Sequence, residues 1–229
     1  MTSRLSAIPL FQDTSLDLAK FEMRVRFRNV VKDEVIVDFD DPSSDVYVLL
    51  TGEVRVLIRT RLGKEVILGD LRAGSLFGEL AAIDGIKRSA NVTALTRGSI
   101  CSISSAVFRE LIFTERVVAD RILRLLTRRV RELDARLMEH LVLDLRHRLY
   151  AELLRLSITR SGHEAQRVVT PPPYHHVLAA RIGCRREQVT REFTTLESEA
   201  LIERTRGALI LKRPDILQAR VTAALSDEA

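Results

Sequence analysis

The chain has 229 residues, enough for two modest domains with separate cores, and its composition is ordinary for a globular protein. Neither a signal peptide nor an apolar run as long as a membrane span is evident, so we expect a cytoplasmic protein that does not bind membranes. The net charge of +5 favours an anionic partner, and the excess lies in residues 118–229, which have 20 basic and 15 acidic side chains against 16 of each in residues 1–117.

The first half of the chain reads as a β domain. A short amphipathic segment with Leu16, Leu18 and Phe21 precedes several short apolar runs, separated by turn signals such as Thr51-Gly52 and Leu62-Gly63. Many short strands at this spacing predict a β-sandwich or jelly roll. The runs that we interpret as strands are Val35–Phe39, Val46–Leu50, Val54–Ile58 and Val66–Leu68.

Residues 77–90, FGELAAIDGIKRSA, form a segment that we call the cassette. Gly78 lets the backbone approach a ligand, and a helix beginning here would offer backbone N–H groups to an anion. Glu79 can accept from a ribose hydroxyl, while Arg88, nine residues later, can donate to phosphate oxygens. The alternative is an ordinary turn, with Arg88 a solvated surface charge. The predicted ligand contacts are Gly78, Glu79, Leu80, Arg88, Ser89 and Ala90.

From Val117 onward the pattern becomes helical. Apolar residues alternate at steps of four and three, which predicts a heptad seam and a homodimer through a two-stranded coiled coil. An ordinary helix that faces its own core is the alternative, because the run covers fewer than three heptads. The seam residues are Ala119, Leu123, Leu126, Val130, Leu133 and Leu137, and the charged residues beside them are Arg128, Arg129, Arg131, Glu132 and Arg136.

A second helix is predicted from about Leu143 to Ser157, with leucines 145, 149, 153 and 154 on its core face. The polar residues 159–166 then predict an exposed loop. Three prolines at positions 171–173 end the preceding element and allow a new helix to begin near Tyr174.

The remaining pattern predicts a helix-turn-helix followed by a hairpin wing. A first helix over 177–182 ends at Gly183, and a second begins at Arg185 with an apolar stripe formed by Val189, Phe193 and Leu196. The wing covers 202–204 and 209–211 around Gly207. The polar face of the second helix is free to enter a DNA major groove, and its candidate DNA contacts are Arg185, Arg186, Glu187, Gln188, Thr190 and Arg191.

The histidines and cysteines argue against a metal site and against catalysis. Cys101 and Cys184 lie far apart, which indicates neither a disulfide framework nor a zinc site, and an iron–sulfur cluster would need more cysteines. No histidine precedes His140, whereas a cupin-like metalloenzyme needs clustered histidine ligands in its barrel. The chain also lacks a clustered nucleophile and base, so we expect no enzyme activity and no metal.

The cassette resembles the phosphate-binding cassette of the cyclic-nucleotide-binding domains found in CRP/FNR regulators and in eukaryotic kinases and channels. Both FGEL and RSA match. By that resemblance, Glu79 holds the ribose 2′-hydroxyl, and Arg88 with Ser89 holds the cyclic phosphate of cyclic AMP. The acid-to-arginine spacing is one residue shorter than in the enterobacterial cyclic AMP receptor.

The same resemblance places Leu133 and Asp134 where the dimer helix meets the purine base, although the enterobacterial receptor has two hydroxyl residues there. Leu133 cannot hydrogen-bond a base, whereas the carboxylate of Asp134 accepts from donors, of which the guanine edge offers two. We therefore hypothesise that cyclic GMP also binds. The alternative is that Asp134, at heptad position e, pairs across the dimer with Arg129 at position g.

The string GCRREQVTREFTTLE, from Gly183, resembles the recognition element of the CRP/FNR family. In that family the matching arginine, glutamate and arginine read a TGTGA-like half-site, so Arg186 and Arg191 are expected on guanine and Glu187 on cytosine. Arg185 replaces the usual serine, and we expect it on a DNA phosphate. In activators of this family the loop corresponding to residues 159–166 touches the RNA polymerase α subunit, which makes the polymerase a candidate partner.

Together these features predict an α+β chain with three parts. The parts are a cyclic-nucleotide-binding jelly roll over 1–116, a dimerisation helix over 117–142 and a winged helix-turn-helix over 143–229. The predicted function is a transcription regulator whose homodimer binds a pseudo-palindromic operator in response to cyclic AMP. Two alternatives stay open: a ligand-independent regulator with a vestigial nucleotide site, and a nucleotide-sensing adaptor that never binds DNA.

Overall fold

The computed structural model describes residues 3–60 and 63–226, so the predicted turn at Leu62 lies outside the described residues. The chain divides into two compact units, Met1–Arg129 and Val130–Ala229. Among the described helices, none combines the length and the apolar character that a membrane span requires.

The first unit contains short helices and strands followed by the beginning of a long helix. A 3-10 helix over Pro9–Phe11 and α1 (Leu18–Glu22) come first. The strands are β1 (Arg26–Val30), β2 (Val35–Val37), β3 (Val46–Thr51), β4 (Glu53–Arg59), β5 (Glu65–Arg72), β6 (Leu76–Phe77), β7 (Asn91–Ala94) and β8 (Gly98–Ile103). The helices among and after them are α2 (Glu79–Asp84), α3 (Ser105–Thr114) and α4 (Arg116–Val142).

The strands form two four-stranded antiparallel sheets, ordered β1-β8-β3-β6 and β2-β7-β4-β5. One core cluster joins them, since it contains Leu49 and Ile100 from the first sheet and Val54 and Val92 from the second. This arrangement confirms the predicted jelly-roll sandwich. The strand at Val35 ends at Val37, two residues earlier than predicted.

Helix α4 begins against the core of the first unit and then presents apolar residues to solvent. Val118 and Ile122 are buried, and Leu126 packs partly against the same core. Later seam residues are exposed: Leu123 by 64%, Val130 by 56%, Leu133 by 56% and Leu137 by 58%. Most of the seam is therefore exposed to solvent.

The second unit packs helices on a small sheet. Its elements after α4 are α5 (Leu145–Leu156), β9 (Ile158–Arg160), β10 (His163–Val169), α6 (His175–Ile182), α7 (Arg186–Ser198), β11 (Ile202–Arg204), β12 (Leu209–Leu211) and α8 (Pro214–Ser226). The four strands are ordered β11-β12-β10-β9. Helices α6 and α7 with the β11–β12 hairpin confirm the predicted winged helix-turn-helix, and Val189, Phe193 and Leu196 are buried in its core as predicted.

The prediction of a loop over residues 159–166 was wrong. These residues belong largely to the β9–β10 hairpin, and β10 also pairs with wing strand β12, where Val169 lies opposite Leu209. Most side chains of the hairpin before Arg167 are exposed. A two-stranded extension of a sheet edge needs few apolar residues, which is why its sequence looks like a loop.

Charged side chains are buried where α4, α5 and α6 meet. Glu152 of α5 is 2% exposed and accepts from Arg181 of α6 at 3.2 Å. Arg155 of α5 also pairs with Glu152 and donates to Glu139 of α4 at 2.5 Å. Because a buried carboxylate is costly unless it is paired, these contacts hold the three helices in one arrangement.

Neither cysteine forms a disulfide. Cys101 on β8 is fully buried, and burial raises the pKa of its thiol to about 12. In the part of the chain that the structure describes, no group of three or more histidine, cysteine or acidic side chains is arranged to hold a metal ion.

Candidate functional site

The backbone of the cassette has the left-handed geometry that glycine permits. Gly78 precedes α2 with φ of +79°, and Gly85 ends α2 with φ of +73°. A Cβ atom at position 78 would lie 2.8 Å from Nη1 of Arg88 and 3.0 Å from the carbonyl oxygen of Asp45. Gly78 is therefore required both by its dihedral angle and by the close approach of Arg88. The helix predicted to begin at this position does begin at Glu79.

Arg88 is a buried residue, 3% exposed, and not the solvated surface charge of the alternative interpretation. Its Nη1 donates to the carbonyl oxygen of Gly78 at 2.8 Å, its Nη2 to that of Asp45 at 2.7 Å, and its Nε to Ser43 Oγ at 3.1 Å. The guanidinium also lies 5.7 Å from the ring centre of Tyr47. Since a guanidinium has five N–H donors, these contacts fix its plane and leave two donors for a ligand.

Glu79 is also buried, with 1% exposure, and its partner is a cation on the long helix. Nη1 of Arg129 on α4 donates to Oε1 of Glu79, and Nη2 of Arg129 donates to the carbonyl oxygen of Leu76 at 2.7 Å. Burying a carboxylate is costly unless a cation is paired with it. Within the described residues, Oε2 of Glu79 makes no hydrogen bond, which leaves it available to a hydroxyl donor.

The contact between Glu79 and Arg129 bears on the alternative assignment of Asp134. Arg129 has partners in its own chain and does not stand as a solvent-facing cation at heptad position g. Asp134 and Leu133 are both exposed on α4, in the second unit. The base-contact role of Leu133 and Asp134 and the interhelical Asp134–Arg129 pair both stay predictions, and the pair would compete with the contact that Arg129 makes to Glu79.

The other predicted cassette residues differ in burial. Ser89 is exposed, so its hydroxyl is free to meet a ligand, and Leu80 on α2 is 43% exposed. Ala90 is 8% exposed and lies at the end of the cassette, next to β7. The structure thus brings Arg88 into direct contact with Gly78, next to Glu79 in the chain, and the ligand-binding role of these residues stays a prediction.

The polar face of α7 is exposed, as the helix-turn-helix prediction requires. The side chains of Arg186, Glu187, Thr190 and Arg191 all face solvent. The opposite face is anchored by more than apolar contacts, because the buried Glu192 accepts from the Tyr150 hydroxyl of α5 at 2.7 Å. Burial, together with this carboxylate, raises the pKa of Tyr150, so its hydroxyl remains a donor at neutral pH.

Two candidate DNA residues also shape the beginning of α7. Oε1 of Gln188 accepts from the backbone N–H of Arg185 at 3.0 Å, which satisfies a donor at the N-terminus of this helix. The carbonyl end of Gln188 is therefore used inside the protein, and its side-chain amide N–H groups are what it can offer to DNA. The Arg185 side chain is exposed.

Sequence reasoning missed several residues that build these sites. Arg129, Asp45 and Ser43 hold Glu79 and Arg88 from distant parts of the chain, and no local spacing reveals them. His175 makes a hydrogen bond to Thr190 of α7 across the helix-turn-helix. The available signal was the position of His175, a polar residue at the start of the first of the two packed helices.

Two family models match the chain. The cyclic nucleotide-binding domain covers residues 27–115, and the Crp-like helix-turn-helix domain covers residues 147–220. These regions contain the cassette and α7 respectively.

Curated relatives are similar over most of their length. The chain is 31% identical to the cyclic AMP receptor protein of Thermus thermophilus, over 78% of this chain and 80% of that protein. It is 30% identical to the cAMP-activated global transcriptional regulator CRP of Salmonella typhimurium, over 71% of this chain and 78% of that protein.

Solved structures share the fold. A CooA mutant from Carboxydothermus hydrogenoformans matches with a TM-score of 0.78 at 17% identity, covering 96% of each chain. The c-di-GMP responsive regulator CLP of Xanthomonas campestris matches with a TM-score of 0.71 at 20% identity, covering 85% of this chain and 97% of its own. With both family models and relatives of this similarity, the chain belongs to the CRP/FNR family of transcription regulators.

Proposed function

We propose that this regulator is a homodimer whose binding to a pseudo-palindromic, TGTGA-type operator is promoted by cyclic AMP. The observation that carries the proposal is the buried pair of charges in the cassette. Arg88 keeps two N–H donors and Glu79 keeps one carboxylate oxygen beyond the contacts that hold them in place. A phosphate and a ribose hydroxyl have the matching chemistry.

The cassette also offers a physical link between ligand and helix. The carboxylate that would accept from the ribose is the one that binds Arg129 of α4. A nucleotide bound to Glu79 changes the environment of the Glu79–Arg129 ion pair. Because Arg129 lies on α4, the free energy of nucleotide binding then depends on the position of α4. That differential binding is what an effector needs in order to shift a conformational equilibrium.

The exposed seam supports a second copy of the chain as the partner of α4. Leu123, Val130, Leu133 and Leu137 are each more than half exposed and follow one heptad stripe. Apolar residues at this spacing stabilise two-stranded coiled coils by burying each other. Two α7 helices related by a two-fold axis would then read half-sites about one DNA turn apart.

Within each half-site, the exposed arginines of α7 supply the specific contacts. Arg186 and Arg191 are assigned to guanine edges, where a guanidinium forms two hydrogen bonds, and Glu187 to a cytosine amino group. Arg185 is assigned to a phosphate. The whole set lies on one exposed face of a helix whose opposite face is buried.

Cyclic GMP is proposed as a second ligand on the strength of Asp134. Its carboxylate is exposed, and the partner expected from the alternative interpretation, Arg129, is bound to Glu79. Calorimetric titration with both nucleotides tests this point. We expect measurable cyclic GMP binding that weakens in Asp134→Asn, and cyclic GMP binding that is absent or unchanged by this substitution would contradict it.

A ligand-independent regulator is the second candidate, and one observation favours it. Arg88 and Glu79 each have partners inside the chain, so these charges have a structural role that does not depend on a ligand. In that case operator affinity would be the same with and without cyclic AMP.

The deciding experiment measures operator binding by fluorescence anisotropy, with and without cyclic AMP, beside calorimetry of nucleotide binding. Ser89→Ala removes an exposed hydroxyl and should weaken nucleotide binding about tenfold at unchanged stability, because one hydrogen bond to a charged group is lost. Lys87→Ala, a neighbouring exposed residue, is the matched control and should leave binding unchanged.

The outcomes separate the candidates. The proposal is supported if cyclic AMP raises operator affinity and if the Ser89→Ala variant needs a higher concentration of cyclic AMP for the same rise. Equal affinity without nucleotide supports the ligand-independent regulator. A protein that binds cyclic AMP but gives no specific complex with any TGTGA-containing palindrome would be the adaptor. Contact of the β9–β10 hairpin with RNA polymerase stays a prediction.

A further inference from the structure

His175, the first residue of α6, is tied to the recognition helix by a hydrogen bond. Its Nδ1 lies 2.8 Å from Oγ1 of Thr190 on α7. The same hydroxyl donates to the carbonyl oxygen of Arg186 at 3.1 Å. A hydroxyl has one hydrogen to donate, so with that hydrogen on Arg186 it accepts from His175. In that arrangement the proton of the neutral ring lies on Nδ1, whereas a Thr190 hydroxyl that donated to Nδ1 would place it on Nε2.

The other ring nitrogen, Nε2, is left with a different role. Among the described residues it makes no hydrogen bond. In the neutral ring, Nε2 carries a lone pair and can only accept, which gives it nothing to offer a phosphate oxygen. Protonation would make Nε2 a donor while Nδ1–H still donates to Thr190.

The surroundings of His175 favour the neutral form of the ring in the free protein. Its ring centre lies 4.6 Å from that of Phe193, which partly removes it from solvent. Arg204 of β11 and Arg186 of α7 are the positive groups facing it, and Glu197 of α7, which holds Arg204 at 2.5 Å, is the negative one. Burial, then Arg204 and Arg186, lower the pKa of His175 below its ordinary value, against the smaller effect of Glu197.

We propose that His175 is a proton-dependent part of the DNA interface, which positions Thr190 and takes up a proton when a DNA phosphate reaches Nε2. The inference rests on the proposed DNA-binding function. In helix-turn-helix proteins the first helix crosses the DNA backbone while the second enters the groove. A phosphate brought close to the ring favours the imidazolium and opposes the arginines that keep the ring neutral.

The consequence is that operator affinity depends on pH. Each proton taken up on binding raises affinity by about tenfold for every pH unit below the pKa of the complex, down to the pKa of the free protein. A dimer would take up two such protons. Affinity should therefore rise as the pH falls from 8 to 6, and the slope should be set by His175.

The neighbouring histidine provides a matched control. His176 is exposed, and its ring stacks on Tyr174 with centres 5.5 Å apart, so it has no hydrogen bond to α7 among the described residues. His175→Asn keeps an N–H donor near the position of Nδ1 but cannot take up a proton. His176→Asn removes a histidine one residue away and leaves the Thr190 contact intact.

The test uses the full-length chain with saturating cyclic AMP and a fluorescent duplex containing a TGTGA palindrome. Anisotropy titrations at pH 6, 7 and 8 and constant ionic strength give the slope of log affinity against pH. We expect wild type and His176→Asn to gain affinity on acidification, by several-fold per pH unit, and His175→Asn to lose most of that gain. NMR titration of the His175 ring should show a higher pKa in the complex than in the free protein.

The inference is overturned if His175→Asn keeps the wild-type slope, or if the His175 pKa is the same in the free and bound proteins. Failure of the proposed function looks different, since the protein would then show no specific complex at any pH or nucleotide concentration. Thermal unfolding of both variants checks that each is folded before its slope is interpreted.

Discussion

The cassette and the recognition helix α7 keep their functional charges in opposite places. Arg88 and Glu79 of the cassette are 3% and 1% exposed, whereas Arg186 and Arg191 of α7 face solvent. In the proposed function, a small ligand is bound by groups that the fold itself encloses, while DNA comes to the surface of the protein. We therefore expect the cassette charges to serve stability and binding together, and those of α7 to serve binding alone.

The largest effect should come from Arg88→Ala. The substitution leaves the carbonyl oxygens of Gly78 and Asp45 without their donor. We expect the free energy of unfolding of the first unit to fall by about 2 to 4 kcal/mol, and nucleotide binding to be lost. The loss of unfolding free energy is measured by urea titration, with hydrogen exchange of residues 26–103 as the readout of unfolding.

Lys87→Ala is the control for that experiment, because within the described part of the chain the Lys87 side chain forms only an exposed ion pair with Asp40. Its unfolding free energy should stay within about 0.5 kcal/mol of wild type. Equal stability of the two variants would show that the cassette charge does not support the fold.

The second test compares two glycines of the cassette. Both Gly78 and Gly85 have positive φ, but a Cβ at Gly85 would meet nothing within 4 Å. Gly85→Ala should therefore cost about 1 kcal/mol of unfolding free energy from backbone strain alone. Gly78→Ala should cost roughly 2 to 3 kcal/mol, because its Cβ also displaces Arg88. Thermal unfolding measures both losses. Equal losses would contradict the claim that the close approach of Arg88 makes Gly78→Ala more costly.

The recognition helix should respond in the opposite way. Arg186→Ala is expected to weaken operator binding by about 1 to 3 kcal/mol, while its unfolding free energy stays within about 0.5 kcal/mol of wild type. Arg213→Ala, which removes an exposed arginine from the residues before α8, controls for net charge. A large loss of stability in Arg186→Ala would contradict the distinction between the two regions.

The smallest expected effect is on the pH dependence of stability. Burial and the neighbouring Arg148 lower the pKa of His140, which lies on α4 in the second unit. Below about pH 6.5 the unfolded chain then binds more protons than the folded one, so stability is lost as the pH falls toward the folded pKa. After solvent screening we expect less than about 1 kcal/mol. His140→Gln should reduce the change in the urea midpoint of unfolding between pH 5 and pH 7.5. A pH dependence equal to that of wild type would contradict this assignment to His140.

Periodicity was enough to predict the elements that bury a regular apolar face. The stripe at Val189, Phe193 and Leu196 was visible because packing repeats at fixed spacing, and the helical repeat of α4 was visible in the same way, although most of its seam is exposed. The β9–β10 hairpin was missed because an exposed sheet edge imposes no such repeat on its side chains.

The internal partners of the cassette were beyond the reach of pattern reasoning. Arg88 is held by the backbone oxygens of Gly78 and Asp45, and any residue type supplies a backbone oxygen. The ion pair between Glu79 and Arg129 joins residues fifty positions apart, and heptad spacing alone assigned Arg129 to the dimer interface. Contacts of this kind follow from the tertiary fold and leave no local signature.

The burial of Cys101 makes its thiol a probe of how often the sandwich in the first unit opens. With a pKa of about 12, its thiol is ionised about a thousandfold less than one with an unperturbed pKa, and it lies inside the sandwich on β8. An alkylating reagent can reach it only when the sandwich opens. In a Cys184→Ser background, the labelling rate of Cys101 would therefore report how often the sandwich opens, and any ligand that binds the closed state would slow it.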